Sequence, residues 1–92
     1  MNKTQLTLAL ERMDRLYPNV THPDYRDEAI RLGAAFPPLA RTAKQLADLL
    51  RAHRQTPHEE LLAGEHDRLR DLHDTLRAQG QRLLSLPSWP YD

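Results

Sequence analysis

Leucine supplies most of the apolar side chains of this chain, and its spacing is the feature that most restricts the fold. The 92 residues include seventeen leucines, whereas Val20 and Ile30 are the sole valine and isoleucine. Strands favour β-branched and aromatic residues, while apolar residues that recur every three or four positions form one face of an α-helix. The sequence therefore predicts an all-α fold.

Apolar spacing and interrupting prolines divide the chain into four predicted helices. Their approximate bounds are Thr4–Tyr17, Asp24–Phe36, Pro38–Arg54 and Pro57–Leu86. Asp24 is the expected N-cap of the second helix, because its carboxylate can accept from a free backbone N–H. Thr56 heads a Thr-Pro-His-Glu stretch with the pattern of a capping box, which predicts the start of the fourth helix. The chain is thus predicted to form a small four-helix bundle.

The third and fourth helices are predicted to form a leucine-seamed hairpin. In the third helix the apolar face consists of Leu39, Ala43, Leu46 and Leu50, with His53 on the same side. In the fourth helix a seven-residue repeat runs through Leu62, Leu69, Leu76 and Leu83, with Leu72 and Leu86 beside it. A short connection makes the two helices antiparallel neighbours.

The predicted fourth helix is long for a chain of this size. Unbroken from Pro57 to Leu86 it would measure about 45 Å at about 1.5 Å per residue, whereas a compact chain of this length has a diameter of roughly 32 Å. We therefore expect the helix either to break at Gly80 or to extend beyond the bundle. An extended helix with leucine repeats would favour a homodimer through the fourth helix.

Residues 1–86 are predicted to form one helical domain, and residues 87–92 a short extended tail rich in proline and aromatic residues. Pro87 and Pro90 interrupt the segment that contains Trp89 and Tyr91, so the tail cannot continue the helix. Two arrangements fit. The aromatic rings either fold back over the open end of the bundle or project outward as contacts for a partner.

Charge and composition exclude several classes of protein. Thirteen basic residues balance thirteen acidic ones, whereas nucleic-acid binders generally carry a basic excess. Without cysteine the chain forms neither disulfides nor thiolate metal sites. No stretch approaches the roughly 20 apolar residues of a membrane span. We therefore expect a cytoplasmic protein that does not bind membranes.

Local charge is uneven although the total is zero. Residues 37–56 carry a net charge of +3, and residues 57–92 carry −3. In an antiparallel hairpin these charges would lie beside the leucine seam and pair across it, each exposed pair contributing under about 1 kcal/mol. The alternative is that the third helix presents its basic side chains to an acidic partner.

One segment of the fourth helix resembles a catalytic or metal site in composition. His66 and His73 are seven residues apart, next to Asp67, Asp71 and Asp74. Seven residues separate the two imidazoles by about 10.5 Å along the axis, which is too far for one ion to bridge. We interpret the segment as a solvated charged face with two histidines at the edge of the seam. A zinc site at His66, Asp67 and His73 remains the weaker alternative, and we expect neither enzymatic activity nor a cofactor.

By size and composition the chain resembles small single-domain inhibitors and adaptors of phages and mobile elements, which include anti-CRISPR-type proteins. The predominance of arginine over lysine favours a bacterial or phage source. The resemblance implies a stoichiometric inhibitor or adaptor of a larger bacterial protein. The predicted partner-binding residues are two aromatic anchors and a charged rim: Trp89, Tyr91, Arg41, Lys44 and Arg51. The alternative is a small transcriptional regulator that binds nucleic acid through the third helix.

Overall fold

A computed structural model describes residues 1–20, 22–52 and 63–91. Within these residues the chain forms four α-helices: α1 (Lys3–Leu16), α2 (Pro23–Ala35), α3 (Ala40–Ala52) and α4 (Ala63–Leu84). Two 3₁₀ turns, Tyr17–Asn19 and Pro37–Leu39, follow α1 and α2. No strand occurs in the described ranges. The predicted all-α bundle is confirmed.

The N-terminal caps differ from the sequence-based expectation. α1 begins with a capping box, in which Asn2 and Gln5 each accept the other's backbone N–H at 2.8 Å. The N-cap of α2 is His22, whose Nδ1 accepts from the Asp24 N–H at 3.2 Å. The assignment of Asp24 as N-cap is wrong, because Pro23 fits the first position of a helix and lets α2 start earlier. The predicted capping box at Thr56 lies outside the described residues.

The core is built from the predicted leucine faces. The buried residues on α3 and its leading turn are Leu39, Ala43, Leu46 and Leu50, and those on α4 are Leu69, Leu72, Leu76 and Leu83. α1 contributes Leu6, Leu10 and Met13 to the same cluster. Leu62 and His53, the other predicted members of the hairpin seam, lie outside the described residues. The seam is therefore confirmed where it is described.

α4 continues through Gly80 without interruption, so of the two alternatives for the long fourth helix the break at Gly80 does not occur. Gly80 instead permits close packing of α1 on α4. A Cβ at this position would lie 2.7 Å from Leu10 Cδ1, which is well inside van der Waals contact. Close packing of a neighbouring side chain, rather than a turn, explains the glycine.

A second glycine brings α2 and α3 together. A Cβ on Gly33 would lie 2.8 Å from Ala43 Cβ and 3.5 Å from Ala40 Cα. Because the two helices meet at residues with little or no side chain, their backbones approach closely. This contact shapes the surface groove described below.

The aromatic tail folds back onto the bundle. Trp89 and Tyr91 make edge-on contacts with the buried ring of Phe36, at centroid distances of 5.8 and 5.1 Å, and with each other at 5.3 Å. Both remain half-buried. The first of the two predicted arrangements is therefore present, and the tail extends the core beyond the C-terminal residue of α2.

Candidate functional site

An open groove of about 390 Å³ lies between α2 and α3. Its floor is apolar and consists mainly of small residues: Ile30, Gly33, Ala40, Ala43 and Ala47. The residues of the α2 wall are spaced three or four apart, and those of the α3 wall recur at the same helical intervals. The α2–α3 groove therefore follows directly from the close approach at Gly33 and Ala43.

Four charged side chains line the rim of the groove. Arg26, Lys44 and Arg51 are cationic and Asp48 is anionic, which gives the rim a net charge of +2. Lys44 Nζ lies 2.6 Å from Asp48 Oδ2, and Arg51 lies 3.3 Å from Asp48 Oδ1. The hydrogen bond from Lys44, together with the charges of Lys44, Arg51 and Arg26, holds the pKa of Asp48 below its ordinary value. The rim is therefore an exposed cationic border around an apolar floor.

Arg26 crosses from one wall of the groove to the other. Its Nε donates to the backbone carbonyl of Ala47 at 3.3 Å, so an α2 side chain is held on α3. Lys44 and Arg51 are far more exposed, with 75% and 62% of their side-chain surface accessible. The α3 cations are accordingly available at the surface, while Arg26 is partly committed to the fold.

Two of the five predicted partner-binding residues line this groove. Lys44 and Arg51 lie there together, whereas Arg41 is exposed on α3 but lines no part of it. Trp89 and Tyr91 pack on Phe36 and do not line the groove. The structure thus separates the aromatic anchors from the charged rim, and their binding roles stay predictions.

Sequence reasoning missed the α2 wall. Ile30 is 43% exposed, one of two large hydrophobic residues that are exposed in the described part of the chain, the other being Leu8 on α1. The spacing of Arg26, Ile30 and Gly33 places them on one face of α2, next to the buried stripe. This spacing could have indicated a second apolar face, but only the packing of α3 against Gly33 turns that face into a groove.

The predicted pairing of charges across the α3–α4 seam does not involve Lys44 and Arg51. Both side chains pair with Asp48 on their own helix. In the described residues, Arg77 of α4 lies 3.5 Å from Asp14 of α1 instead.

A second group of polar residues lies where α1, α2 and α4 meet, with Tyr25 and His73 buried and Asp14 at the surface. His73 Nε2 lies 2.9 Å from Asp14 Oδ1, and His73 Nδ1 lies 2.5 Å from the Tyr25 hydroxyl. The ring of Tyr17 packs on the imidazole with a centroid distance of 4.5 Å. Asp14, Tyr25 and His73 together form what we call the His73 network.

The His73 network satisfies each of its polar groups. A carboxylate only accepts, so Nε2 donates to Asp14, and in the neutral imidazole Nδ1 then accepts from the Tyr25 hydroxyl. Burial, followed by the charges of Tyr17, Asp14 and Asp74, raises the pKa of Tyr25 well above its ordinary value. The phenol therefore stays protonated and keeps donating to His73.

A carboxylate-oriented imidazole bonded to a hydroxyl is also the pattern of an activated nucleophile. Here Tyr25 is fully buried and His73 is 7% exposed. The gap beside His73, bounded by Leu10 and Met13, has no room for a water molecule. His73, predicted at the edge of the leucine seam beside a solvated face, is buried, and its contacts support the fold.

The described residues do not support the zinc alternative. No group of three or more metal-ligating side chains comes together among them. Both ring nitrogens of His73 already have partners in the His73 network, so this imidazole has no lone pair left for an ion. Among the described residues, the fold therefore does not assemble the zinc site considered at His66, Asp67 and His73.

The nucleic-acid alternative relied on polar residues near the start of the third helix. Thr42 is buried, while Arg41 and Lys44 are exposed. A recognition helix reads bases with several polar side chains near its N-terminus. Of the three residues considered, α3 offers two there, the cations Arg41 and Lys44.

α4 is the helix on which the homodimer hypothesis depends. Its described leucines, from Leu69 to Leu83, are buried in the core of the same chain. A homodimer through α4 would therefore have to use the outer, charged face of the helix.

None of the helices in the described ranges is both long enough and apolar enough to span a membrane.

Comparison with protein-family models, with curated proteins and with solved structures finds no significant match.

Proposed function

We propose that this chain acts by binding another protein, as a stoichiometric inhibitor or adaptor of a larger protein in the bacterial cytoplasm. The observation that carries the proposal is the α2–α3 groove, which combines an apolar floor, exposed at Ile30 and Ala40, with a cationic rim. A phage or mobile-element origin, as for anti-CRISPR-type inhibitors, fits the small size of the chain.

The apolar floor provides a driving force for association. Ile30 exposes 43% of its surface next to four small residues, and covering such a surface is favourable by about 25 cal/mol for each Å² removed from water. Residues without long side chains also let a partner approach closely. Ile30 is therefore the expected apolar anchor of the interface.

The rim provides orientation and partner selection. Ion pairs between exposed side chains contribute only about 0–1 kcal/mol, so Lys44 and Arg51 can exchange Asp48 for carboxylates of a partner at little cost. Complementary charges of this kind increase association rates and reject partners of the wrong sign. The predicted role of these two residues as a charged rim is retained in the proposal.

The proposal is non-enzymatic, because the group closest in pattern to catalytic machinery is enclosed. The His73 network has no adjoining space for a substrate. The α2–α3 groove, which has the space, carries one carboxylate already paired with two cations.

Capture experiments with two matched variants test the proposal. The tagged chain is immobilised, exposed to a bacterial lysate, and the bound proteins are identified and quantified by mass spectrometry. Ile30→Glu places a charge on the groove floor, and Leu8→Glu makes the same change at the other exposed hydrophobic residue. We expect the wild-type chain and Leu8→Glu to retain one protein in an approximately one-to-one ratio, and Ile30→Glu to lose it.

Equal retention by both variants, or no protein retained in fixed ratio, would contradict the proposal. Binding of wild-type chain to duplex DNA with a steep decrease as salt is raised would favour the nucleic-acid alternative instead. Circular dichroism of each variant checks that the helices remain folded.

The tail is tested separately. Trp89→Ala removes the contact with Phe36, whereas Trp89→Phe keeps an aromatic ring there and removes the indole N–H, which is buried without a hydrogen-bond partner. Loss of capture by both variants, with helical content retained, would assign Trp89 a direct contact. Loss of stability in Trp89→Ala alone would assign it to the core.

A further inference from the structure

We propose that the occupant of the α2–α3 groove is an α-helix of the partner protein, with small apolar residues facing the floor and acidic residues on both flanks. This inference rests on the proposed function and specifies the partner surface that the groove recognises.

The α3 wall of the groove is long enough for about three turns of a bound helix. This wall runs from Ala40 to Arg51, a length of about 16 Å or three turns at about 1.5 Å per residue. The floor between Ile30 and Ala47 has mostly hydrogen or methyl side chains, which permits the close approach that helix packing requires. An amphipathic helix in an apolar groove is a common mode of recognition.

An extended peptide fits this groove less well. Strand addition requires an edge with unpaired backbone N–H and C=O groups. Both walls here are α-helices, α2 and α3, whose backbone groups are bonded within each helix along the groove. The walls therefore offer side chains rather than backbone partners, and this favours a helical occupant.

The charges determine which residues flank the occupant. Lys44 and Arg51 lie on the α3 side, and Arg26 extends from α2, where its Nε is bonded to the Ala47 carbonyl and its terminal N–H groups carry the remaining positive charge. Aspartate or glutamate on each flank of the bound helix would face them. Asp48 is the one described carboxylate on the rim, and it already has two cationic partners.

A second copy of this chain is a poor occupant of the groove if it presents its own α2–α3 groove. Two grooves face to face would oppose rims that each carry a net charge of +2, and like charges in close apposition are repulsive. The apolar floor likewise gives a phosphate backbone nothing to contact. A helix with acidic flanks satisfies both the floor and the rim.

Two synthetic helical peptides of about 14 residues, stabilised by side-chain crosslinks, test the inference. Both carry alanine and leucine on one face; one has glutamate on the flanks and the other has lysine at the same positions. Binding to the full chain is measured by fluorescence anisotropy at low and at physiological salt. We expect the glutamate peptide to bind about tenfold or more tightly than the lysine peptide, with a smaller difference at higher salt.

Matched variants locate the contact. The double variant Lys44→Glu, Arg51→Glu should reverse the preference between the two peptides. The double variant Arg70→Glu, Arg82→Glu, the same change of charge at exposed positions of α4, should leave it within about twofold. Equal affinity for both peptides, binding of neither, or an unchanged preference in the double variant would overturn the inference. Preference for a DNA duplex over the glutamate peptide would replace it with nucleic-acid binding.

The outcome is separable from that of the proposed function. Ile30-dependent capture of a protein, without binding of the glutamate peptide, would leave a protein-binding groove whose occupant is not an acidic helix. Peptide binding without any captured protein would show the recognition chemistry but remove the proposed cellular partner.

Discussion

The His73 network and the α2–α3 groove both collect polar side chains from several helices, yet they differ in what those side chains contact. In the network, His73 bonds Asp14 and Tyr25 from two other helices and is almost inaccessible. In the groove, Lys44 and Arg51 bond Asp48 on the same helix and are mostly in solvent.

This difference in burial predicts which substitutions change the stability of the fold and which change the binding of a partner. A buried polar group left without a partner costs about 1–3 kcal/mol, so the members of the network depend on each other. An exposed ion pair contributes little, so the side chains of the rim are free to change partners. We expect substitutions in the network to lower the free energy of unfolding, and substitutions on the rim to change binding alone.

The largest expected effect is that of His73→Ala. The change leaves the Tyr25 hydroxyl buried without its acceptor and creates a cavity beside Leu76, so we expect a loss of about 3 kcal/mol of unfolding free energy. Urea denaturation measures it, and Arg70→Ala on the exposed face of α4 is the matched control. A loss as small as that of the control would contradict the assignment of the network to the core.

A smaller effect is expected where glycine sets the helix spacing. Gly33→Ala places a methyl group 2.8 Å from the rigidly held Ala43 Cβ, so α2 and α3 must move apart at a net cost of about 1–2 kcal/mol. Gly80→Ala places a methyl group 2.7 Å from Leu10 Cδ1, but this side chain can change rotamer and the variant gains about 1 kcal/mol of helix propensity. We therefore expect a smaller net cost than for Gly33→Ala. Similar melting temperatures for the two variants would show that the groove walls are not held by this contact.

The His73 network should also make stability sensitive to alkaline pH. Burial raises the pKa of Tyr25, so above about pH 10 the unfolded chain releases this proton while the folded chain keeps it. The unfolded state then binds fewer protons, and the free energy of unfolding falls by up to about 1.4 kcal/mol per pH unit. Urea titrations between pH 9 and about 11 should show a shallower decline in Tyr25→Phe, which shares every other titrating group; parallel curves would exclude Tyr25 as the cause.

The smallest effect on stability is expected on the rim. Lys44→Gln and Arg51→Gln remove exposed charges paired with Asp48, so each should change the free energy of unfolding by less than about 0.5 kcal/mol. The same variants should weaken capture of the partner. A large loss of stability would mean that the rim, like the network, serves mainly to hold the fold.

Some of these features were accessible from the sequence because they depend on local spacing. The buried faces of α1, α3 and α4 follow the periodicity of leucine, and Pro18 and Pro37 follow the ends of the first two helices, within one residue of the expected bounds. Lys44 and Arg51 were predicted as rim residues together with Arg41 from the basic charge of the third helix. The spacing could not show Arg26 and Ile30 opposite them, since these residues belong to another helix.

Other features that local spacing does not show have the same origin. As a charged residue Glu28 would ordinarily be exposed, yet it is buried and bonded by Arg12 of α1 at 3.1 Å. A break at Gly80 was one of two alternatives for the fourth helix, but the contact with Leu10 explains this glycine. In each case the deciding neighbour comes from a distant part of the chain.

By itself the sequence determined that this protein is helical and which faces of α3 and α4 are buried, because both depend on residues within a few positions of one another. Tertiary structure alone decided that the buried His73 bonds the buried Tyr25 and the surface carboxylate of Asp14, and that α2 and α3 leave an open groove with a cationic rim. The physical reason is that burial and pairing depend on which helices meet, and small residues such as Gly33 and Ala43 set how closely they do so.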